Sequence, residues 1–301
     1  MERKYNRVAV LKGGISSERE VSLRSGAAVA DGLRAGGYTV DEIDVTSRNV
    51  AVPDTAEAVF VALHGQFGED GEIQQILSRM DMPFTGSGAE SSRISFDKVL
   101  TRDVLAASGI PVARGEVLVS ASDRTLPLPV VVKPPREGSS VGCHLVFEEK
   151  EWGPAFESAV RYSGEALVEE FIPGRELTVG VVEHPSGSLQ VLPVVEIKPA
   201  TQWYDFEAKY ITGDTLYEVP ARLDPAITEQ LQSIALQTFD ALGAEGFGRI
   251  DFRMTPEGRC CVLELNAIPG FTASSLLPKA AQAAGIGFSE LCCRIMERAH
   301  L

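Results

Sequence analysis

The segment GRIDFRMTPEGRCCVLELN, Gly248 to Asn266, sets an arginine, an aspartate, a glutamate and an asparagine into two stretches that otherwise have the composition of buried strand. Read as an antiparallel hairpin turning at TPEG, with Pro256 second and Gly258 fourth in the turn, it places Arg249 opposite Glu264. Side chains alternate along a strand and opposed residues share a face. Arg249, Asp251, Glu264 and Asn266 therefore gather on one side, and Ile250, Phe252, Leu263 and Leu265 on the other. Two carboxylates and an amide oxygen form a hard-oxygen set of the kind that takes Mg²⁺ and joins it to substrate phosphates. On the hairpin alone a second reading stands beside this one: a solvated polar face with an Arg249–Glu264 cross-strand pair, worth under about 1 kcal/mol if exposed.

Five other stretches carry chemistry. In LKGGISSERE a glycine turn follows the first strand, and Ser17 and Glu20 have capping-box spacing. Glu18 is left near a positive helix terminus, where it could hold a ligand ammonium at the carboxyl edge of a sheet. His64 ends the apolar run AVFVAL at a similar edge, open to a structural or a functional role. VVVKPPREGSSVG joins Lys133 to a loop with Gly138, Ser139, Ser140 and Gly142, which is either a flexible surface loop or an anion-binding lid. LVEEFIPGRELTV brings Glu169, Glu170 and Glu176 around a turn at Pro173 and Gly174, and EAKY ends with Lys209 and Tyr210 in a long loop that also holds Trp203, Tyr204 and Phe206. Neither a Walker loop nor a G-x-G-x-x-G fingerprint is present, which sets aside a dinucleotide-binding dehydrogenase.

The elements that must position these groups fall into three stretches. Residues 1–95 alternate strand and helix as an open parallel α/β unit: a strand at Val8–Leu11, a helix ending near Gly36, the run AVFVALHG and a helix in EDGEIQQILSRM. Residues 96–178 form a smaller α+β unit containing the glycine–serine loop, entered by one helix from Ser91 to Ser108 that carries Asp97 and Lys98. Residues 179–301 form a second α+β unit with the strand LQVLPVVEI, a helix from Asp224 to about Leu242, the hairpin and a helical tail.

A net charge of -14 works against non-specific nucleic-acid binding, which needs basic clusters to displace counterions. No apolar run has the length of a membrane span or a signal-peptide core, so a cytoplasmic protein is expected. The five cysteines include two adjacent pairs and no C-x-x-C spacing; reduced thiols are expected, and Cys260 and Cys261 point to opposite faces of a strand, away from a shared metal.

In this order and spacing GGISSEREVSLRSG, ALHGQFGEDG, PFTGSG, VVKPPREGSSVG, FEAKY, GRIDF, LELNAIPGFT and SLLP resemble the D-alanine:D-alanine ligases of the ATP-grasp superfamily, over essentially the whole chain. The resemblance implies an ATP-grasp fold, in which an N-terminal α/β domain precedes two α+β units that clamp ATP. It implies ligation of two D-alanines through an acyl-phosphate for peptidoglycan synthesis, two Mg²⁺ or Mn²⁺ ions per active site, and a homodimer. Carried onto this sequence, it gives Glu18 to the first substrate's ammonium, in a hydrogen-bonded lid contact with Ser139 and Tyr210, with His64 assisting. Arg249 and the Gly270 amide would face the oxyanion, and Ser275 and the Leu276 amide the second substrate's carboxylate. Lys98, Lys133 and Lys209 match the ATP-phosphate positions, Glu169, Glu170 and Ile172 the adenine, Glu176 the ribose, and Asp251, Glu264 and Asn266 the metal ligands. Tyr210 resembles the alanine-using ligases, whereas Ala267, Ile268, Ala273 and Ser274 stand at variable positions. The competing readings are a related carboxylate-amine ligase, a ligase for D-lactate or D-serine, and a non-catalytic nucleotide-binding protein.

Overall fold

The computed structural model describes residues 3–199 and 215–301. Its first sheet is parallel, in the order β2 (Thr39–Val45), β1 (Arg7–Gly13), β3 (Ala58–Val61). β1 and β3 are near-continuous apolar runs because both faces are covered. β2 is an edge strand whose apolar residues are interrupted by Asp41, Glu42 and Asp44, so it leaves no apolar run to read. α1 (Arg19–Ala35) packs on β1, and the last helix of the chain, α8 (Phe288–Glu297), packs on α1. Gly32 permits that approach, since a Cβ there would lie 2.9 Å from Cys292 Sγ. One core therefore joins Val8, Val29 and Phe60 near the start of the chain to Phe247, Phe271 and Ile295 near its end.

α2 (Glu72–Arg79) and α3 (Ala89–Phe96) lead to α4 (Lys98–Ala107). The single helix expected from Ser91 to Ser108 is thus two. Asp97 adopts an extended conformation and caps α4, its Oδ1 accepting from the amides of Val99 (3.0 Å) and Leu100 (3.2 Å). The break turns Lys98 into the first residue of α4.

The second sheet is antiparallel, ordered β4 (Gly115–Leu118), β7 (Ala166–Glu170), β5 (Val130–Lys133), β6 (His144–Val146), with Trp152 and Phe156 of α5 (Glu149–Val160) buried against it. The third has the order β11 (Leu216–Glu218), β10 (Val195–Lys198), β8 (Arg175–Glu183), β12 (Phe247–Met254), β13 (Cys260–Asn266), with β9 (Leu189–Val191) also paired to β8. The expected strand LQVLPVVEI is interrupted at Leu192–Val194, where Pro193 has no amide to donate. α6 (Pro225–Ala241), capped by Asp224, covers this sheet from one side, and α7 (Leu276–Ala283) precedes α8.

Candidate active site

The hairpin turns where expected, with the Gly258 amide donating to Thr255 O (3.0 Å), but its register differs. Arg249 faces Asn266 and Asp251 faces Glu264, two residues from the expected pairing: nearer the turn Phe252 meets Val262 and Arg253 meets Cys261, one residue from it, and the pairing slips once more after Asp251. The extra residue is Leu263. It leaves the core face, where Val262 takes its place beside Ile250, Phe252 and Leu265, and lines a cavity instead. The polar quartet still shares one face. Buried Asp251 accepts a fork from Arg249 (Nε 2.8 Å, Nη2 2.7 Å), a hydroxyl from Thr178 (2.6 Å) and Asn266 Nδ2 (3.0 Å). Glu264 lies 3.4 Å from Lys98 Nζ. Burying this face is tolerable because each acid is met by a cation.

Two opposed carboxylates with an amide carbonyl two residues on are hard oxygen ligands on one wall, which fits a divalent cation carried with phosphates. Among the described residues no group of three or more His, Cys, Asp or Glu side chains is placed to hold a metal. An ion here would depend on those two acids, Asn266 and ligands brought by the substrate.

Glu18 is the residue before α1, and neither its side chain nor that of Ser17 caps the helix; the expected capping box is not formed. The Glu18 carboxylate instead accepts from Ser139 of the glycine–serine loop. Ser139 and Ser140 hold φ of 51° and 60°, in the left-handed region that costs a non-glycine residue about 1–2 kcal/mol, so the loop is held in a strained form at this contact. His64 is buried, its Nδ1 donating to Ile268 O (3.0 Å) and its Nε2 meeting Ser25 Oγ (3.0 Å), which also accepts from the Phe271 amide (3.1 Å). It thereby ties β3 and α1 to the loop after β13. Beside it, burial and the nearby Glu18 charge raise the Glu69 carboxyl above its ordinary range, against the pull of His64, and burial likewise raises Glu137.

Glu18, His64, Lys98, Ser139, Arg249, Glu264, Asn266, Gly270, Ser275 and Leu276 line one cavity of about 450 Å³. Its lining also includes the acids Glu69 and Glu137, with Thr272 and Lys279. Among the described residues the Gly270 amide has no hydrogen-bond partner. Ser275 Oγ accepts from the Thr272 amide (3.0 Å) at the start of α7.

A second cavity shares Lys98, Glu137, Ser139 and Glu264 with the first and adds Lys133, Glu169, Glu170, Ile172, Glu176 and Asp251. Lys133 and Glu169 are buried against each other at 2.6 Å. Burial works against the Lys133 charge, but Glu169 more than offsets it and holds the lysine above its ordinary pKa. Glu170 turns its carboxylate to Arg114 and Arg259; burial opposes its charge, yet these donors bring it to about 2. Arg253 donates to Ile172 O (3.0 Å) and Glu176 (3.2 Å) and lies over the Phe171 ring.

Lys209 and Tyr210, with Trp203, Tyr204 and Phe206, lie outside the described residues. Arg253, Glu69, Glu137, Tyr217 and Lys279 line the cavities without having been singled out in the sequence. Arg253 carried a signal: it continues the alternation of Arg249 and Asp251. All five cysteines are free, and Cys260 and Cys261 pack into different apolar clusters. Among the described residues no helix is long and apolar enough to cross a membrane.

Family models described as D-ala D-ala ligase N-terminus and D-ala D-ala ligase C-terminus match residues 46–87 and 105–297. The D-alanine--D-alanine ligase of Methylacidiphilum infernorum is 42% identical over 98% of this chain and 95% of its own length, and that of Syntrophotalea carbinolica 43% identical over 100% and 98%. Among solved structures, the VanG D-Ala:D-Ser ligase of Enterococcus faecalis superposes with a TM-score of 0.85 at 28% identity, covering 97% of this chain and 98% of its own. The D-alanine--D-alanine ligase of Bacillus anthracis complexed with ATP gives 0.83 at 28%, covering 97% of each. The three sheets thus form an ATP-grasp fold, and the chain belongs to the D-alanine–D-alanine ligase family.

Proposed function

We propose that this chain joins two D-alanines to D-alanyl-D-alanine at the cost of ATP, supplying the dipeptide of peptidoglycan precursors. The observation that carries the reading is the shared wall: Lys98, Ser139 and Glu264 border both the amino-acid cavity and the one holding the expected nucleotide residues. A phosphate at that wall lies between the two cavities, as transfer from nucleotide to carboxylate requires.

In this reading Glu18 holds the first D-alanine's ammonium and Ser139 keeps the loop over it. Lys98, Lys133 and Lys209 bind the phosphates, while Glu169, Glu170, Ile172 and Glu176 surround adenine and ribose. The first carboxylate attacks the γ-phosphorus with ADP leaving, and the second amine displaces phosphate from the resulting acyl-phosphate. Arg249 and the Gly270 amide face the oxyanion that develops in the second step. Ser275 and the Leu276 amide receive the second carboxylate, and Tyr210 completes the lid contact. Asp251, Glu264 and Asn266 would hold Mg²⁺ or Mn²⁺, two ions by the family's pattern, which when bound spread the charge of the phosphate chain. Free thiols and the need for ATP support a cytoplasmic setting, and the homodimer implied by the resemblance is open to light scattering.

The nucleotide cavity encloses about 100 Å³, below the usual range of roughly 300–1,000 Å³ for small-molecule sites, so the loop of residues 134–143 must swing out to admit ATP. Trypsin cleavage at Arg136 is expected to slow when ATP and D-alanine are both present; equal cleavage with and without them would contradict the lid. The function itself is tested by phosphate release with ATP, Mg²⁺ and D-alanine. Turnover should fall by at least about 100-fold with L-alanine or D-lactate, the discrimination a site built on fixed polar contacts gives. Comparable release with D-lactate or D-serine as acceptor would move the chain to a sister specificity, and none with any of them would refute the ligase reading.

A further inference from the structure

The arginine and lysine side chains lining the amino-acid cavity are, with one exception, matched within the chain or open to solvent. Arg249 forks onto Asp251, Lys98 faces Glu264 and donates to Glu137 O (2.7 Å), and Arg24 is exposed to solvent. Lys279 is different. It is half-buried, and among the described residues no carboxylate lies within 4.0 Å of its ammonium. Its contact is the ring of Tyr217, with Nζ 4.2 Å from the centroid. A ring face attracts a cation but leaves its net charge uncompensated. Burial accordingly depresses the pKa of Lys279.

Its position says what would match it. Lys279 stands four residues after Ser275, one turn along α7 on the same face, and its amide donates to Ser275 O (3.0 Å). The two side chains line the same cavity. A zwitterion entering there has one favourable orientation, with its carboxylate toward Lys279 and its amine toward the middle of the cavity.

We propose that Lys279 is a specificity-determining residue for the second, acceptor amino acid, pairing its ammonium with the acceptor's carboxylate. This rests on the reading above, in which Ser275 and Leu276 mark the acceptor end. It goes beyond that reading by placing a full charge where a hydroxyl and an amide alone would discriminate weakly between a carboxylate and a neutral amide. Tyr217 then serves as the platform that keeps the ammonium aimed inward when the acceptor is absent.

The test is a competition in one vessel. The full-length enzyme is given ATP, Mg²⁺, D-alanine as donor and a mixture of D-alanine and D-alaninamide as acceptors, and the two dipeptide products are counted by mass spectrometry. The wild-type chain should prefer the free carboxylate. In Lys279→Gln that preference should fall roughly ten- to hundredfold, the range for loss of a charged hydrogen bond, through a raised acceptor KM with kcat little changed. Lys279→Arg should restore most of it. A ratio taken within one sample does not depend on the fraction of enzyme folded. If Lys279→Gln depresses both products alike, or leaves the ratio unchanged, the lysine is structural and the proposal fails. If the wild-type chain makes no dipeptide at all, the ligase reading itself is refuted, and that outcome is distinct from the first.

Discussion

Glu264→Ala should lower Mg²⁺-dependent phosphate release by about a thousandfold while leaving the protein folded. Glu264 sits opposite Asp251 on the ligand face of the β12–β13 hairpin, its side chain 28% exposed and its neighbour Lys98 at 3.4 Å. The apolar face below it, with Ile250, Phe252, Val262 and Leu265, does not involve its side chain. A partly solvated pair at this distance contributes under about 1 kcal/mol to stability. Its loss to function is far greater. On the proposed reading a bound cation would keep one carboxylate without it, and metal stabilisation of a phosphoryl transition state is worth several kcal/mol, roughly tenfold in rate for each 1.4. Two measurements check this: phosphate release as a function of Mg²⁺ concentration, and the thermal midpoint. Normal turnover by a folded Glu264→Ala protein would remove the hairpin from the metal site. A midpoint lowered by more than a few degrees would mean that the acid has a structural role as well.

The same hairpin shows how far the sequence could be read. Alternation placed Arg249, Asp251, Glu264 and Asn266 on one face, and the TPEG turn was legible from Pro256 and Gly258. The register was not, because an extra residue at Leu263 depends on what the neighbouring chain needs; here it sends an apolar side chain into the second cavity. The helix break at Asp97 was written in the sequence as an N-cap residue, but the helical pattern runs through it, and only the extended backbone reveals two helices. Position alone brought His64 to the carboxyl edge of the first sheet. Its partners Ser25 and Ile268 lie 39 and 204 residues away, and no local pattern reports such pairing. Lys279 is the same problem in reverse: its spacing from Ser275 is visible in SSLLPK, but that this helix face borders a cavity is a property of the assembled fold. What the motifs conveyed was the set of groups. What they withheld was which of those groups the protein already neutralises for itself.

Lys133→Met tests that distinction at the site where it matters most, and its expected effect is double. Lys133 and Glu169 are 8% and 7% exposed and lie 2.6 Å apart, on adjacent strands β5 and β7. Removing the lysine leaves a buried carboxylate without its countercharge, which costs about 3–5 kcal/mol, a large share of the roughly 5–15 kcal/mol that holds a domain folded. Because Glu169 holds the Lys133 pKa above its ordinary value, the lysine's contribution is complete below about pH 10.4 and is lost only as pH rises through the raised pKa. The deficit of the variant should therefore be present in full at neutral pH, where urea unfolding would read it. Phosphate release should fall as well, since the ammonium also faces the nucleotide cavity. The two effects separate in the double variant Lys133→Met, Glu169→Met. Replacing both members of a buried pair by apolar groups of similar volume is often neutral, so stability should return toward wild type. Activity should not return, because the cation proposed to meet the phosphates is still missing. A single variant with unchanged stability would show that water reaches the pair in solution, and a double variant with restored turnover would take Lys133 out of the phosphate site.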